Sequence, residues 1–598
     1  MKQNHLVVLG LYLTGALCAQ PVRAQFNANF QTNIISGVAS NWVSTVGYII
    51  GSNTFRDVLQ IINSGVLSNS TGVIGYEASG SNNAAIVSGI GSVWSNTSGL
   101  IVGLNGSGNS LTISNGGKVF SNGGTLAGAN GSIKTNNAVI VNGSGSVWRN
   151  ASSLIVGGDG VGHTLTIASG GAVFSDGGSV GGVTGNSNMV LVTDAGSVWS
   201  NTSALIVGSG LFTGGNSLAI SNGGAVFSNG GTVGNSNTGN NNSVLVTGAG
   251  SVWSNASVLI VGGLNQSLTI SNGGAVFSTG GALGGFAAGF GSGGANTVLV
   301  AGNGATWQIQ SNLVVGAVGV NDQLSVGIGG ELYVTNSLGS GSLIVGRLGQ
   351  GTLTINGGTV TVDALVVTNN VASSIIHTNV VAFNGGLFNS RGAAVTNGLV
   401  FFDGDGTSAA TYHLSGGVHS FASGLEVRNN ASLTGCGTIN GSVLVDAGGT
   451  VLADCGGTLT FTGSVTNNGI MRAENGSVLE AYGAVVNNGL IDIIGGSTNF
   501  HSTFINNGTV ADASAFQIVR LAKEGNNIRI TWSSVSGRSN VVQLSIGAAV
   551  GSYSNNFTDL SPAIVIPGVT VSSTNYLDVG GATNSPARYY RVRLVPSS

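Results

Sequence analysis

The tripeptide Asn-Asn-Gly stands at residues 467–469 and recurs at 487–489 and 506–508, at intervals of 20 and 19 residues. Asn and Gly both tolerate positive φ, so the chain can bend sharply after each short apolar run. One turn of a β-solenoid holds about 20 residues, whereas a propeller blade needs roughly 40–45. The period therefore predicts a rod of stacked, parallel β-strands.

A longer repeat covers the first half of the chain. Trp recurs at 42, 94, 148, 199, 253 and 307, at intervals of 52, 54, 51, 54 and 54. Each unit contains three- to five-residue β-branched runs punctuated by Asn-Gly and Gly-Gly, which is typical of short strands. We expect about three turns of roughly 18 residues in each unit, with two longer turns as the alternative.

The composition agrees with such a rod and excludes several classes of protein. Only 6% of the 598 residues are charged, against about 25% in ordinary soluble domains, so a typical cytosolic enzyme surface is excluded. The 42% hydrophobic content argues against disorder, and the net charge of −3 argues against nucleic-acid binding. No Pro lies between Val22 and Ser561, so nothing removes a donor from a continuous ladder.

The N-terminus predicts export. Residues 1–24 combine a charged start, a short apolar run and a small-residue cleavage site, which is the pattern of a signal peptide. No later segment is long and apolar enough to span a membrane. The mature protein is expected to be secreted or attached to a cell surface.

Two cysteines follow the signal segment, Cys436 and Cys455. They are 19 residues apart, which is one turn of the rod, and residues one turn apart lie roughly 4.8 Å apart at Cα. We therefore predict a disulfide in an oxidising compartment, contributing about 3 kcal/mol. The alternative is two buried free thiols.

The predicted fold class is all-β, a parallel β-helix rod followed by a small antiparallel β-sandwich. The expected boundaries are 25–90 for a degenerate N-terminal repeat or cap, 91–370 for the Trp repeats and 371–513 for the continuation with 19–20-residue turns. Residues 514–598 contain four of the five Pro residues and alternating strands, which favours a separate sandwich.

The repeat resembles the β-strand repeats of autotransporter and PEP-CTERM-associated proteins. The resemblance is carried by Trp94, by Leu-Ile-Val-Gly at 100–103 and 343–346, and by Leu-Thr-Ile with a following Gly-Gly at 111–117. It implies an exported bacterial β-solenoid and brings no catalytic mechanism with it. The C-terminal segment is similar to a fibronectin type III module, with Trp532 as its core Trp. Residues 514–598 are not expected to form a membrane barrel or a PEP-CTERM tail.

The regular Trp residues are the first candidate site. Exposed aromatic rings along a rod can stack on the sugar rings of a polysaccharide. The competing interpretation is that each ring fills the core of its repeat. The candidates for binding are Trp94, Trp148, Trp199, Trp253 and Trp307.

The densest polar cluster lies between residues 403 and 428. Its two aspartates could begin a Ca²⁺ loop, and carboxylates with a His could perform glycosidic acid/base chemistry. The alternative is a set of solvated turn residues. The cluster consists of Asp403, Asp405, His413, His419, Glu426 and Arg428.

Three functions follow from these patterns. The first is an adhesin-type, non-enzymatic rod that presents a repetitive face to glycan or other cell-surface components. The inserts at 127–136, 181–187, 234–241 and 284–295 favour it, because loops at one position of each repeat line one face. The others are a polysaccharide lyase or hydrolase acting through the polar cluster, and a ligand-free matrix or surface-layer scaffold. No cofactor or metal is expected.

Overall fold

The computed structural model describes residues 26, 28–37, 41–43, 45–128, 133–182, 184–210, 214–234, 240–285, 293–369, 378–547, 552–553, 555–566, 570–583 and 587–595. The predicted signal peptide lies outside this part of the chain. The regular secondary structure of the described residues is β-strand, as the sequence pattern predicts, apart from one short 3₁₀ helix at Ala513–Ala515. No helix within the described residues is long and apolar enough to cross a membrane.

The rod is built from stacks of parallel strands, one strand per turn in each stack. Stack 1 contains Thr32–Ser36, Val58–Ile62, Ala84–Ser88, Ser110–Ser114, Ala138–Asn142, Thr164–Ala168, Met189–Thr193, Ser217–Ser221, Ser243–Thr247, Ser267–Ser271, Thr297–Ala301, Asp322–Gly327 and the first parts of Gly351–Val362 and Val380–Ser390. Stack 2 contains Asn41–Val43, Val66–Asn69, Val93–Asn96, Lys118–Ser121, Val147–Asn150, Ala172–Ser175, Val198–Asn201, Ala225–Ser228, Val252–Asn255, Ala275–Ser278, Ala305–Ile309, Gly330–Val334, the second parts of Gly351–Val362 and Val380–Ser390, the first parts of Ala410–Phe421 and Ala431–Asn440, Thr450–Ala453, Ile470–Ala473, Leu490–Asp492 and Thr509–Ala511.

The remaining rod strands form two further stacks and one short pair. Stack 3 contains Tyr48–Ile50, Gly72–Ile74, Leu100–Val102, Gly124–Leu126, Leu154–Val156, Gly178–Val180, Leu205–Val207, Gly231–Val233, Val258–Val261, Gly280–Leu283, Leu313–Val315, Ser342–Val345, Ala364–Val367, Ala393–Val395, the second parts of Ala410–Phe421 and Ala431–Asn440, Thr458–Phe461, Val478–Ala481 and Ser497–Phe500. Stack 4 contains Phe401–Asp403, Leu425–Val427, Val443–Val445, Val465–Asn467, Val485–Asn487 and Phe504–Asn506. The pair is Asp159–Val161 with Thr184–Asn186.

Each Trp unit contains two turns. Val119 pairs with Trp94 on one side and with Trp148 on the other, so one turn takes 25 residues and the next takes 29. The expectation of three turns was wrong, and the alternative of two longer turns is correct. The physical reason is the corner between stacks 3 and 1, where 103–109 and 127–137 connect successive strands.

The turns become shorter where stack 4 takes over from stack 1, after Val380–Ser390. In the last turns only residues 468–469 and 488–489 separate a stack 4 strand from the next stack 2 strand. The Asn side chains of these corners form ladders, with Asn467 Nδ2 donating to Asn487 Oδ1 at 2.7 Å and Asn487 Nδ2 donating to Asn506 Oδ1 at 2.7 Å. The period of about 20 residues therefore describes this end of the rod only.

A second ladder is buried along the start of stack 1. Each backbone N–H donates to the side chain one turn later, as from Asn188 to Asn216 at 3.0 Å and from Asn296 to Asp322 at 3.2 Å. These bonds satisfy amides that the solvent cannot reach. The ladder comprises Asn83, Asn109, Asn137, His163, Asn188, Asn216, Asn242, Gln266, Asn296 and Asp322.

Replacing Asp322 by Asn should stabilise the rod above neutral pH. Burial raises the pKa of Asp322 to about 7 from its ordinary value of 3.8, and Oδ2 has no partner among the described residues. Because the pKa of Asp322 is raised in the folded state, its protonated carboxyl contributes a stability that is complete below pH 4. This contribution is lost as the pH rises through 7. An amide here can donate as Asn216 and Asn296 do. We expect Asp322→Asn to gain roughly 4 kcal/mol at pH 8 and little at pH 4.

Urea unfolding of the wild type and of Asp322→Asn at both pH values measures this effect. Asp194→Asn is the control, because that carboxylate lies at an exposed corner. An equal gain at pH 4 and pH 8 would contradict the titration argument.

The C-terminal segment is a two-sheet antiparallel sandwich, as predicted. One sheet contains Gln517–Glu524, Asn527–Val535 and Val571–Asp578, and the other contains Ser539–Ile546, Thr558–Asp559, Ile564–Val565 and Arg588–Val595. Trp532 is fully buried between the sheets, against Val542 and Ile530. The sandwich covers the end of the rod, where Val535 packs on Leu490 and Ala511.

The predicted disulfide is confirmed. Cys436 and Cys455 are bonded, with their Cα atoms 6.0 Å apart. Cys436 lies in Ala431–Asn440, and Cys455 lies between Thr450–Ala453 and Thr458–Phe461, the two strands that pair with it in the next turn. The bond therefore joins neighbouring turns, as the 19-residue spacing indicates.

Candidate functional site

The five candidate Trp residues are in the core and cannot stack on a ligand. Trp94, Trp148, Trp199, Trp253 and Trp307 are all 0% exposed. Their indole N–H groups also have internal acceptors, such as Ser175 Oγ for Trp199 at 3.2 Å. A ring must present a face to solvent to bind a sugar, so the sugar-stacking interpretation is corrected. The Trp42 side chain lies outside the described residues.

Each Trp is matched by a Gly in the preceding turn. A Cβ on Gly178 would lie 2.6 Å from Cζ2 of Trp199, and the same relation holds at 2.5 Å for Gly124 and Trp148. Successive turns therefore alternate at two adjoining core positions: one turn carries the large Trp, and the turn before it carries the Gly that makes room for the ring. This complementarity explains why the sequence repeats every two turns instead of every turn.

The polar cluster is divided between the core and the surface. Asp403 and His419 are fully buried. His419 Nδ1 lies 3.0 Å from the Tyr412 hydroxyl, and its Nε2 lies 2.9 Å from the Gly416 carbonyl. Burial raises the pKa of Asp403 to about 8, and neither of its carboxyl oxygens has a partner among the described residues.

The other four residues of the cluster make separate local contacts. Asp405 accepts hydrogen bonds from Thr407 and Ser408, which lower the pKa of its carboxyl. The remaining contacts pair His413 with Thr434 at 2.9 Å and Glu426 with Arg428 at 3.0 Å. The structure thus places the six residues on both sides of the β-sheets: Asp403 and His419 in the core, and the other four on the outer side. Within the described residues no group of three or more His, Cys, Asp or Glu could hold a metal ion.

The outer face of stack 2 presents a column of aromatic rings. Strand alternation points Val119 inward beside Trp94, so the next residue, Phe120, points outward. In-register pairing continues this position from Phe120 through Arg149 to Phe174 and beyond. We call this set the aromatic column: Phe120, Phe174, Phe227, Phe277 and Tyr333, alternating with Arg149, Ser200, Ser254 and Gln308.

The rings of the aromatic column are partly exposed and evenly spaced. Phe227 is 43% exposed, and the others are half-buried. Two turns separate successive rings, which corresponds to about 10 Å. The small Ser200 and Ser254 separate Phe174, Phe227 and Phe277. A periodic row of this kind can contact an extended polymer at several points.

Two clefts open on the same face, one towards each end of the column. The first has a volume of about 450 Å³ and is lined by Phe120, Arg149 and neighbouring Asn and Thr side chains. The second has a volume of about 610 Å³ and is lined by Tyr333, Gln308 and Asn336. Aromatic rings and amide groups together are typical of sites that bind polar, ring-shaped ligands.

Sequence reasoning missed these rings, although a signal was present. Phe recurs at 120, 174, 227 and 277, in the same Val-Phe-Ser tripeptide. Its position directly after a core Val places it on the opposite face of the strand. The predicted insert positions fall at the corner between stacks 3 and 1, and parts of them lie outside the described residues.

Comparisons with known proteins give matches among solved structures only. No protein-family model matches the chain, and no curated protein matches it. Among solved structures, the chain is similar to a TibC-catalysed, hyperglycosylated TibA fragment, with 16% sequence identity and a TM-score of 0.29. The match covers 59% of this chain and 98% of that fragment.

Proposed function

We propose that this protein is an exported, non-enzymatic adhesin-type rod that binds polysaccharide along the outer face of stack 2. The observation that carries the proposal is the aromatic column, in which rings recur every two turns in register. The spacing of about 10 Å is close to the length of two extended β-1,4-linked pyranose units. Successive rings would then meet every second sugar of one chain.

The chemistry of the face supports a glycan better than a protein or nucleic-acid partner. Ser, Asn and Gln side chains flank the rings, and they can exchange hydrogen bonds with sugar hydroxyls. The few charges between residues 90 and 320 give no basic footprint for a phosphate backbone. Binding would come from many weak contacts added along the rod.

The test compares aromatic rings with aliphatic side chains on another face of the same rod. The double variant Phe227→Ala/Phe277→Ala shortens the aromatic column. The control, Leu245→Ala/Leu299→Ala, removes two outward side chains of stack 1 that are 38% and 40% exposed. Residues 25–598 of each protein are run over immobilised cellulose, chitin, xylan and mannan, and retention and released reducing ends are recorded together.

We expect retention on at least one of these glycans and no release of reducing ends. If each ring contributes about 1 kcal/mol, the double Phe variant should bind roughly thirtyfold more weakly, and the Leu control should bind like the wild type. Equal loss in both double variants would remove the aromatic column as the site. Released ends would contradict the non-enzymatic role, and no retention on any glycan would contradict the proposal itself.

A further inference from the structure

The long neutral part of the rod has two outward-facing cations, and they are neighbours. Between residues 90 and 320 the sequence contains six charged residues. Lys134 and Asp159 are buried together, 3.8 Å apart, and Asp176 and Asp194 accept hydrogen bonds from Ser and Thr at corners. The remaining two, Lys118 and Arg149, are exposed on adjacent strands of stack 2.

These two cations flank Phe120, which lines the first cleft together with Arg149. Lys118 lies on the same strand as Phe120, and Arg149 pairs with Phe120 across the ladder. Neither cation forms a salt bridge with a carboxylate in the part of the chain that the structure describes. The cleft therefore combines an aromatic platform with unneutralised positive charge.

The Arg149 side chain is oriented by stacking. Its guanidinium carbon lies 4.4 Å from the centroid of the Phe174 ring, so one face of the group is covered. Its N–H donors have no hydrogen-bond acceptor among the described residues and lie at the edge of the plane. Asn122 and Thr97 also line this cleft and offer hydroxyl and amide partners. A planar fork held in this way matches the two oxygens of a carboxylate.

We propose that this cleft is a subsite for a hexuronate unit of an acidic polysaccharide. The pyranose ring lies on Phe120, its carboxylate accepts two hydrogen bonds from Arg149, and Lys118 adds positive potential. This inference rests on the proposed function and adds the chemical class of the ligand. The other rings of the column are spaced by Ser or Gln. They contact neighbouring sugars without distinguishing acidic units from neutral ones.

The test separates charge recognition from ring stacking by using two β-1,4-linked oligosaccharides that differ only in the carboxylate. Hexaglucuronate and cellohexaose are titrated calorimetrically into residues 25–598, Arg149→Gln and Phe227→Ala/Phe277→Ala, at low and moderate salt. Arg520→Gln, which removes an exposed cation from the sandwich, is the control for net charge. Dextran sulfate is a third probe, because it carries sulfate without carboxylate.

We expect the wild type to prefer hexaglucuronate and the preference to weaken with salt. Arg149→Gln should lose at least about tenfold in affinity for hexaglucuronate and nothing for cellohexaose, whereas the double Phe variant should lose affinity for both. Four results would overturn the uronate subsite and leave the proposed function standing: no preference for the acidic probe, equal losses for both probes in Arg149→Gln, a matching loss in Arg520→Gln, or tighter binding of dextran sulfate. Failure of the wild type to bind either oligosaccharide would overturn the uronate subsite, whereas the glycan-retention experiment decides the proposed function separately.

Discussion

Asp492→Ala should detach the C-terminal sandwich from the rod and destabilise their junction by about 3–5 kcal/mol. Asp492 is the last residue of a stack 2 strand and is fully buried. Its Oδ2 accepts from Arg472 Nε at 2.9 Å and from Arg538 Nε at 2.6 Å, and its Oδ1 accepts from Arg538 Nη2 at 2.9 Å. Arg538 belongs to the sandwich, so the carboxylate joins the two parts of the chain.

The size of this effect comes from the charges left behind. Glu474 lies 3.0 Å from Arg538 and 3.9 Å from Arg472, so the native cluster balances two guanidinium groups with two carboxylates. Without Asp492, two cations that are only 7% and 4% exposed share one anion. Removing one partner of a buried ion pair costs far more than the pair itself contributes.

Hydrogen exchange of the last rod turns and of the sandwich measures the change. Asp559→Ala is the matched control, because Asp559 also pairs with an arginine, Arg593, but at the exposed surface. We expect no measurable loss there. Comparable exchange in the two variants would show that the buried cluster does not hold the sandwich on the rod.

Trp199→Ala should cost about 3–5 kcal/mol in the middle of the rod. The indole is fully buried and fills the space that Gly178 leaves open beside Leu205. Its loss leaves a cavity that the surrounding strands cannot close, because their ladders on both sides hold the turn spacing. Ser175 keeps its bond to Asn201 at 2.7 Å, so the loss is mainly one of packing.

The comparison variant is Phe227→Ala, which removes an aromatic ring from the outer face of a nearby turn. Because that ring is partly in solvent, its loss should cost less than about 1 kcal/mol. Urea unfolding followed by circular dichroism, with hydrogen exchange of residues 164–255, measures both. Equal destabilisation would mean that the inward and outward positions of stack 2 are assigned incorrectly.

The fold was predictable because turn residues and short strands recur in the sequence itself. The disulfide followed from the same spacing, since Cys436 and Cys455 are one short turn apart. The number of turns per Trp unit was not predictable from the Asn-Asn-Gly period, because the corner between stacks 3 and 1 is longer than the corner after stack 4.

The candidate site was predicted on the wrong rings for a related reason. Large aromatic residues at regular intervals do not themselves reveal which side of the sheet they occupy. The alternation of side chains along a strand decides which face each residue occupies. Val119 pairs with the inward Trp94, so Phe120 points outward. Asp403 and His419 lie in the core and Glu426 does not, because side chains alternate between the two faces of a strand. Their closeness in sequence does not decide this.

The pairing of Trp with Gly also limits how such a chain can change in length during evolution. Leu154 occupies in its turn the position that Gly124 occupies in the turn before, as their pairing in stack 3 shows. Losing a single Gly-containing turn would place a Trp against Leu in a space that accepts only Gly. Duplications and deletions that preserve the core must therefore comprise whole two-turn units, and each would lengthen or shorten the aromatic column by one ring.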